Sequence, residues 1–126
     1  MNLKHLFFLL NFFLVSLCFA VEENAFSPAN TLEMTFQENI PLQVTFSSHS
    51  HNRIAWENDR IVSVIGDERL FNVEMSPKIG QAFISILKPL PEGSATITVV
   101  SSRGFVQDIQ IKSENKPATL LSIKVP

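Results

Sequence analysis

The sequence of 126 residues lacks several features that whole classes of proteins require. It contains one cysteine, Cys18, so no disulfide can form within the chain. Its four glycines lie singly and cannot form a glycine-rich phosphate-binding loop. With 10 basic and 12 acidic residues the net charge is −2, which excludes a basic surface that holds nucleic acid by its phosphates. The length also excludes a large multidomain enzyme.

The one long hydrophobic run lies at the N-terminus. Lys4 precedes it, residues 6–19 are almost continuously apolar, and Cys18 and Ala20 are small residues suited to signal peptidase. Because a membrane-spanning helix needs about 20 apolar residues, the pattern favours a helical secretory signal peptide over residues 1–20. We therefore expect export to the periplasm. The mature chain would then contain no cysteine and would depend on a hydrophobic core.

Behind this segment, apolar and polar residues alternate, as they do in strands that are buried on one face. Leu42, Val44 and Phe46, for example, share one phase. Such runs recur at roughly ten-residue intervals and are separated by turn residues, which predicts an all-β fold. We expect an antiparallel β-sandwich of about eight or nine short strands, with sequence neighbours pairing because the links are short. This domain is predicted over residues 21–112, and residues 113–126 form either a linker or a final strand.

Six aromatic residues fall on the apolar phases of these strands and are predicted to lie in the core. They are Trp56, Phe36, Phe46, Phe71, Phe83 and Phe105. For Trp56 an exposed position at a partner interface is the alternative, since tryptophan is enriched at interface hot spots.

A search for catalytic or metal-binding groups gives little. His49 and His51 could point the same way on a strand and share a metal ion. The mature chain has no further histidine or cysteine to complete the ligand set, so an exposed polar turn is the preferred interpretation. No G-x-S-x-G motif is present, and the acidic residues are scattered over predicted turns. We expect no enzymatic activity, no cofactor and no metal.

Four short motifs nevertheless follow one another between residues 52 and 111. They are Asn52-Arg53-Ile54; Arg60-Ile61 followed by Gly66; Gly80-Gln81 followed by Phe83; and Gly104 followed by Gln107-Asp108. In this order and at this spacing they resemble the N-terminal domain of the TraK family of F-type conjugative transfer systems.

The resemblance implies a structural, secretin-like periplasmic component of a type IV secretion outer-membrane core complex. It implies association with the outer membrane through partners, namely a TraV-like lipoprotein and a TraB-like spanning protein. It also implies a homo-oligomeric ring and no contact with nucleic acid. Family members continue into a second β domain, whereas this sequence stops at Pro126. We therefore expect the N-terminal domain alone, from a truncated or split gene.

Two alternatives remain open. One is a free-standing periplasmic immunoglobulin-like module that binds a peptide or a small ligand. The other, ranked last, is a small hydrolase that uses His49 or His51.

For the motif residues we expect structural roles. Gly66, Gly80 and Gly104 are interpreted as turn formers with unusual φ. Arg53 and Arg60 are expected to form local ion pairs with acidic residues, the candidates being Glu57, Asp59 and Asp108. Gln107 and Asp108 lie in a predicted strand, where aspartate is disfavoured, so a hydrogen-bonded structural role or an edge position is expected.

Overall fold

The computed structural model describes residues 30–126, which fold into nine β-strands and one short 3-10 turn. The strands are β1 (Asn30–Thr35), β2 (Leu42–Ser47), β3 (Asn52–Trp56), β4 (Ile61–Ile65), β5 (Phe71–Ser76), β6 (Gln81–Ile86), β7 (Ser94–Ser101), β8 (Val106–Glu114) and β9 (Thr119–Lys124). The predicted signal peptide lies outside the described residues. Within residues 30–126 no helix has the length and apolar character needed to cross a membrane.

The strands form two sheets that pack face to face, so the predicted all-β sandwich is confirmed. The five-stranded sheet A has the order β1-β9-β3-β6-β5, and the four-stranded sheet B has the order β2-β8-β7-β4. Both sheets are mixed. In sheet A, β9 runs parallel to both β1 and β3, and in sheet B, β2 runs parallel to β8.

The prediction of antiparallel pairing holds for four of the seven strand pairs in residues 30–126, and the other three pairs are parallel. Strands adjacent in sequence pair in only two cases, β5 with β6 and β7 with β8. The other links carry the chain from one sheet to the other. A link such as residues 48–51 can do this because four extended residues reach roughly 13 Å, and packed sheets lie about 10 Å apart. A short link therefore does not require a hairpin.

The C-terminal segment takes part in the sandwich. Residues 113–126 were predicted to form either a linker or a final strand. In the structure they contain the end of β8 and the whole of β9. The expected boundary at residue 112 therefore falls inside β8. Strand β9 lies between β1 and β3, and its Leu121 and Ile123 side chains are fully buried.

The core consists of the inward-facing side chains of both sheets. Its fully buried aliphatic members are Leu42, Ile54, Ile84, Ile97, Val99, Ile109, Ile111, Leu121 and Ile123. The prediction that Phe83 belongs to this core was wrong. Ala82 and Ile84 face inward, so the alternation of β6 places Phe83 half-buried on the outer face of sheet A.

An aromatic cluster closes one end of the core. Trp56 packs against Phe36 and Phe105, with ring centroids 5.9 Å and 6.2 Å away, and Phe36 lies 5.2 Å from Phe105. The guanidinium of Arg103 lies over the outer ring, 5.6 Å from the centroid of Phe105. Since Trp56 is only 3% exposed, its core position is confirmed and the exposed interface position is excluded.

Truncation of this cluster should be costly. We expect Trp56→Ala to lower the free energy of unfolding by about 3–5 kcal/mol, because it removes a large buried ring and leaves a cavity. Trp56→Phe should cost less, since the indole Nε1 has no hydrogen-bond partner within the described residues and only volume is lost. Urea unfolding followed by circular dichroism measures both. Equal midpoints for Trp56→Ala and the parent protein would contradict the burial.

Candidate functional site

The first motif centres on a buried amide. Asn52 Oδ1 accepts hydrogen bonds from the backbone N–H of Ser47 at 2.8 Å and of Thr119 at 3.1 Å. Its Nδ2 donates to the carbonyls of Ser47, Ser50 and Ile84, at 3.1 Å, 3.2 Å and 3.2 Å. One side chain thus joins the end of β2, the link to β3, strand β6 and the start of β9. The adjacent Ile54 contributes to the core.

Gln107 plays a similar part in the last motif. This buried residue of β8 accepts a hydrogen bond at Oε1 from the N–H of Gln37, at 2.9 Å. Its Nε2 donates to the carbonyls of Ile40 and Asp108, each at 2.9 Å. Gln107 therefore holds the link between β1 and β2 against sheet B.

The second and third motifs meet at the turn between β5 and β6. Gly80 has φ +66°, and an added Cβ would lie 2.9 Å from the Cβ of Arg60, so both its conformation and its surroundings require glycine. Its carbonyl accepts from the N–H of the buried Ile61 at 2.8 Å. The guanidinium of Arg60 donates to the carbonyl of Pro77. Arg60 thus extends over the β5–β6 turn.

Of the other two motif glycines, one fits the expectation and one does not. Gly104 has φ +90° in the β7–β8 turn, as predicted. Gly66 has no positive φ, so the prediction of an unusual conformation was wrong there. An added Cβ at Gly66 would instead lie 2.9 Å from Cγ2 of Ile97. The requirement at this position is close packing of the chain against β7.

The remaining motif residues lie on outer faces. Arg53 of β3 and Phe83 of β6 are cross-strand neighbours on sheet A, and Gln81 begins β6 opposite Ser76 of β5. Asp108 accepts a hydrogen bond from the hydroxyl of Thr98 on β7. Strand β8 lies inside sheet B, so Asp108 is not at an edge. Of the two predicted alternatives, Asp108 has the hydrogen-bonded role.

The ion pairs expected for Arg53 and Arg60 are absent among residues 30–126, and that prediction was wrong. Asp59 pairs with Arg103, whose Nε lies 3.2 Å from Oδ2. Oδ1 of Asp59 accepts from the N–H of Arg60 at 2.7 Å and from the hydroxyl of Ser102. The Asp59 side chain is 1% exposed, but its partners Arg60, Ser102 and Arg103 are exposed, so this network connects the β3–β4 and β7–β8 turns at the surface of the domain.

The network controls the charge of Asp59. Burial by itself raises the pKa of the carboxyl group, but hydrogen bonds from Ser102, the Arg60 amide, Ser101 and Arg103 together outweigh it. The pKa of Asp59 therefore lies well below its usual value. Sequence reasoning placed Asp59 on a turn but missed this role, because its side-chain partners Ser102 and Arg103 lie 43 and 44 positions further along the chain.

Asp59 should make stability depend on acid pH. A carboxyl group with a lowered pKa in the folded state stabilises the fold above its unfolded pKa of about 3.9, and this contribution is lost as pH falls below that value. We expect Asp59→Asn to lower stability at pH 7 and to flatten the decline between about pH 4 and pH 2. Urea unfolding across this range measures the effect. The exposed Glu38→Gln is the control, and matching pH profiles for the two variants would refute the assignment.

The two histidines lie apart from other candidate metal ligands within residues 30–126. His49 and His51 are exposed, and Nδ1 of His51 lies 2.6 Å from Oγ of Ser85. No group of three or more histidine, cysteine, aspartate or glutamate side chains is placed to hold a metal ion in the part of the chain that the structure describes.

The buried Asn52 amide gives a sharper test of the motif. Asn52→Ala would leave two N–H groups and at least one carbonyl buried without their partner, so we expect a loss of about 2–4 kcal/mol in the free energy of unfolding. Asn72→Ala, at an exposed position of β5, should change it by less than about 0.5 kcal/mol. Urea unfolding followed by Trp56 fluorescence compares them. Similar losses in both variants would show that the amide is not required.

Because the motif residues mainly support packing, surfaces are the remaining candidates for binding. One candidate is a groove of about 510 Å³ between the edge strands β4 and β5, which we call the seam. It is lined by Val64, Ile65, Gly66, Glu68, Phe71, Asn72, Val73 and Leu87. A second groove, of about 470 Å³, shares Leu87 and continues toward the 3-10 turn. Both grooves are open to solvent along one side.

The fold defines the class: a nine-stranded mixed β-sandwich whose polar motif residues stabilise links between the sheets. The family model for the TraK N-terminal domain matches residues 35–125, well over half of the chain. The chain belongs to this family, as the four motifs predicted, and is a TraK-like, conjugation-related protein. A search of curated proteins found no significant match.

Proposed function

We propose that this protein is a structural component of the outer-membrane core complex of an F-type conjugative type IV secretion system. The observation that carries the proposal is the family match over residues 35–125. The expected signal peptide supports a periplasmic location. The role is non-enzymatic: the hydrogen-bonded polar groups described above connect strands and turns, and the free surfaces are strand edges and open grooves.

The proposed partners are a TraV-like lipoprotein and a TraB-like spanning protein, through which the domain is held at the outer membrane. Copies of the domain assemble with them as a ring. The two sheets end in different edge strands, β1 and β5 in sheet A and β2 and β4 in sheet B. Head-to-tail contacts between copies close into a ring when the rotation permits.

Co-expression tests the proposal. The tagged protein is produced with TraV-like and TraB-like proteins of a conjugative system, solubilised from the envelope and purified by the tag. We expect all three proteins in one large species by size-exclusion chromatography with mass determination. A tagged periplasmic β-sandwich of another family is the control. Elution of the folded protein alone, while the other two proteins assemble without it, would contradict the proposed function.

A further inference from the structure

The four edge strands of the sandwich are not equally protected. Soluble proteins guard such edges with charges, prolines, bulges or covering groups, because an open edge pairs with other strands. Strands β1 and β5 carry Glu33 and Glu74. Strand β2 has no charge, but its Thr45 carbonyl accepts from the hydroxyl of Thr119 at 3.2 Å and from Nζ of Lys116 at 3.5 Å.

Strand β4 lacks comparable protection over most of its length. Its sequence, Ile-Val-Ser-Val-Ile, contains neither charge nor proline. A bulge between Ile61 and Ser63 and the bond from Ile61 N–H to the Gly80 carbonyl guard only its first part. From Val62 to Ile65, no loop or side chain within the described residues hydrogen-bonds to the strand. Ile65 is 62% exposed and Val62, on the same strand, is 57% exposed.

The open part of β4 borders the seam. Val64, Phe71 and Val73 form apolar walls, so side chains of an added strand could be buried there. Glu68 is the one charged residue that lines the seam, and it forms no ion pair within residues 30–126. The neighbouring Asp67 is already paired with Arg69, at 2.9 Å. The seam thus combines an open edge, an apolar wall and a single free carboxylate.

We propose that β4 binds an extended segment of a partner protein, which adds to sheet B as a fifth strand. The segment has aliphatic residues at alternate positions, which enter the seam, and a lysine or arginine that pairs with Glu68. Backbone hydrogen bonds supply affinity in such strand addition, and alternate side chains supply specificity. The inference rests on the proposed function in one respect: the segment belongs to another protein of the core complex.

A second copy of this chain fits the seam less well. None of the four edge strands of another copy carries a lysine or arginine that could pair with Glu68, because β1 and β5 carry Glu33 and Glu74 and β2 and β4 are uncharged. The strands described for the chain also direct their apolar faces into their own core, so edge pairing would leave the seam unfilled. An extended segment from a partner meets neither difficulty.

A peptide titration followed by amide NMR tests the proposal on the purified protein. The probe is a short soluble peptide with valine and isoleucine at alternate positions and one terminal lysine. We expect saturable shifts and slowed hydrogen exchange at the amides between Val62 and Ile65. A peptide with proline at a central position should not bind, because it cannot complete the ladder. A peptide with glutamate in place of lysine should bind about two- to fivefold more weakly, as a surface ion pair allows.

Three variants localise the effect. Ile65→Lys should abolish saturable binding, whereas Ile40→Lys, on the β1–β2 link and similarly exposed at 57%, should bind as the parent protein does. Glu68→Lys should reverse the preference between the lysine and glutamate peptides. All three positions are exposed, so equal urea midpoints verify that folding is intact.

The remaining outcomes overturn the inference. Binding that tolerates the central proline, shifts that avoid β4, or absence of binding would each refute strand addition. A dimer mass for the parent protein that Ile65→Lys reduces to a monomer would assign the edge to a second copy instead. The co-expression experiment separates the two proposals: assembly without peptide binding refutes the seam alone, and peptide binding without assembly refutes the core-complex role alone.

Discussion

The fold depends on one buried side-chain amide. The chain crosses repeatedly between two sheets, so backbone groups at strand ends meet in the interior, where each unpaired group costs about 1–3 kcal/mol. Asn52 forms hydrogen bonds with five backbone groups, which belong to β2, the following link, β6 and β9. The bond to Thr119 is made where β9 begins, and β9 joins β1 to the rest of sheet A by parallel pairing on both sides.

In this arrangement the interior polar groups and the surface of the sandwich have different roles. Asn52, Gln107, Gly80 and the Asp59 network each join segments that are distant in sequence, so their polar atoms are occupied by the fold itself. The edges and grooves of the sandwich are the surfaces proposed above for recognition of other molecules. Among these, β4 and the seam combine an open ladder with buried apolar area, which is the combination that strand addition uses.

Much of the fold was predictable from the sequence, because alternation reports directly which residues share a face. The strands around Leu42, Ile54 and Ile97 were visible in this way. Topology was not, since a short link allows either a hairpin or a crossing between sheets. Phe83 was misplaced because it was assigned to the apolar phase of its strand, whereas Ala82 and Ile84 are the residues that face inward.

Candidate-site residues were predictable only in part, for a related reason. The motifs identified the family and a structural role for Gln107 and Asp108, whereas no individual role was predicted for Asn52. Their partners depend on which turns meet in space, and sequence separation conceals this. Arg60 lies next to Asp59 in sequence, yet the ion pair of Asp59 is with Arg103, 44 positions further on.

Native-state hydrogen exchange of the purified protein tests the central claim most directly. The N–H groups of Ser47 and Thr119 donate hydrogen bonds to the Asn52 amide. If that amide holds the two sheets together, both N–H groups should exchange only through global unfolding. Their opening free energies should then match the free energy of unfolding from urea and should fall together with it in Asn52→Ala. Exchange of either amide through a local opening of much lower free energy would contradict the account.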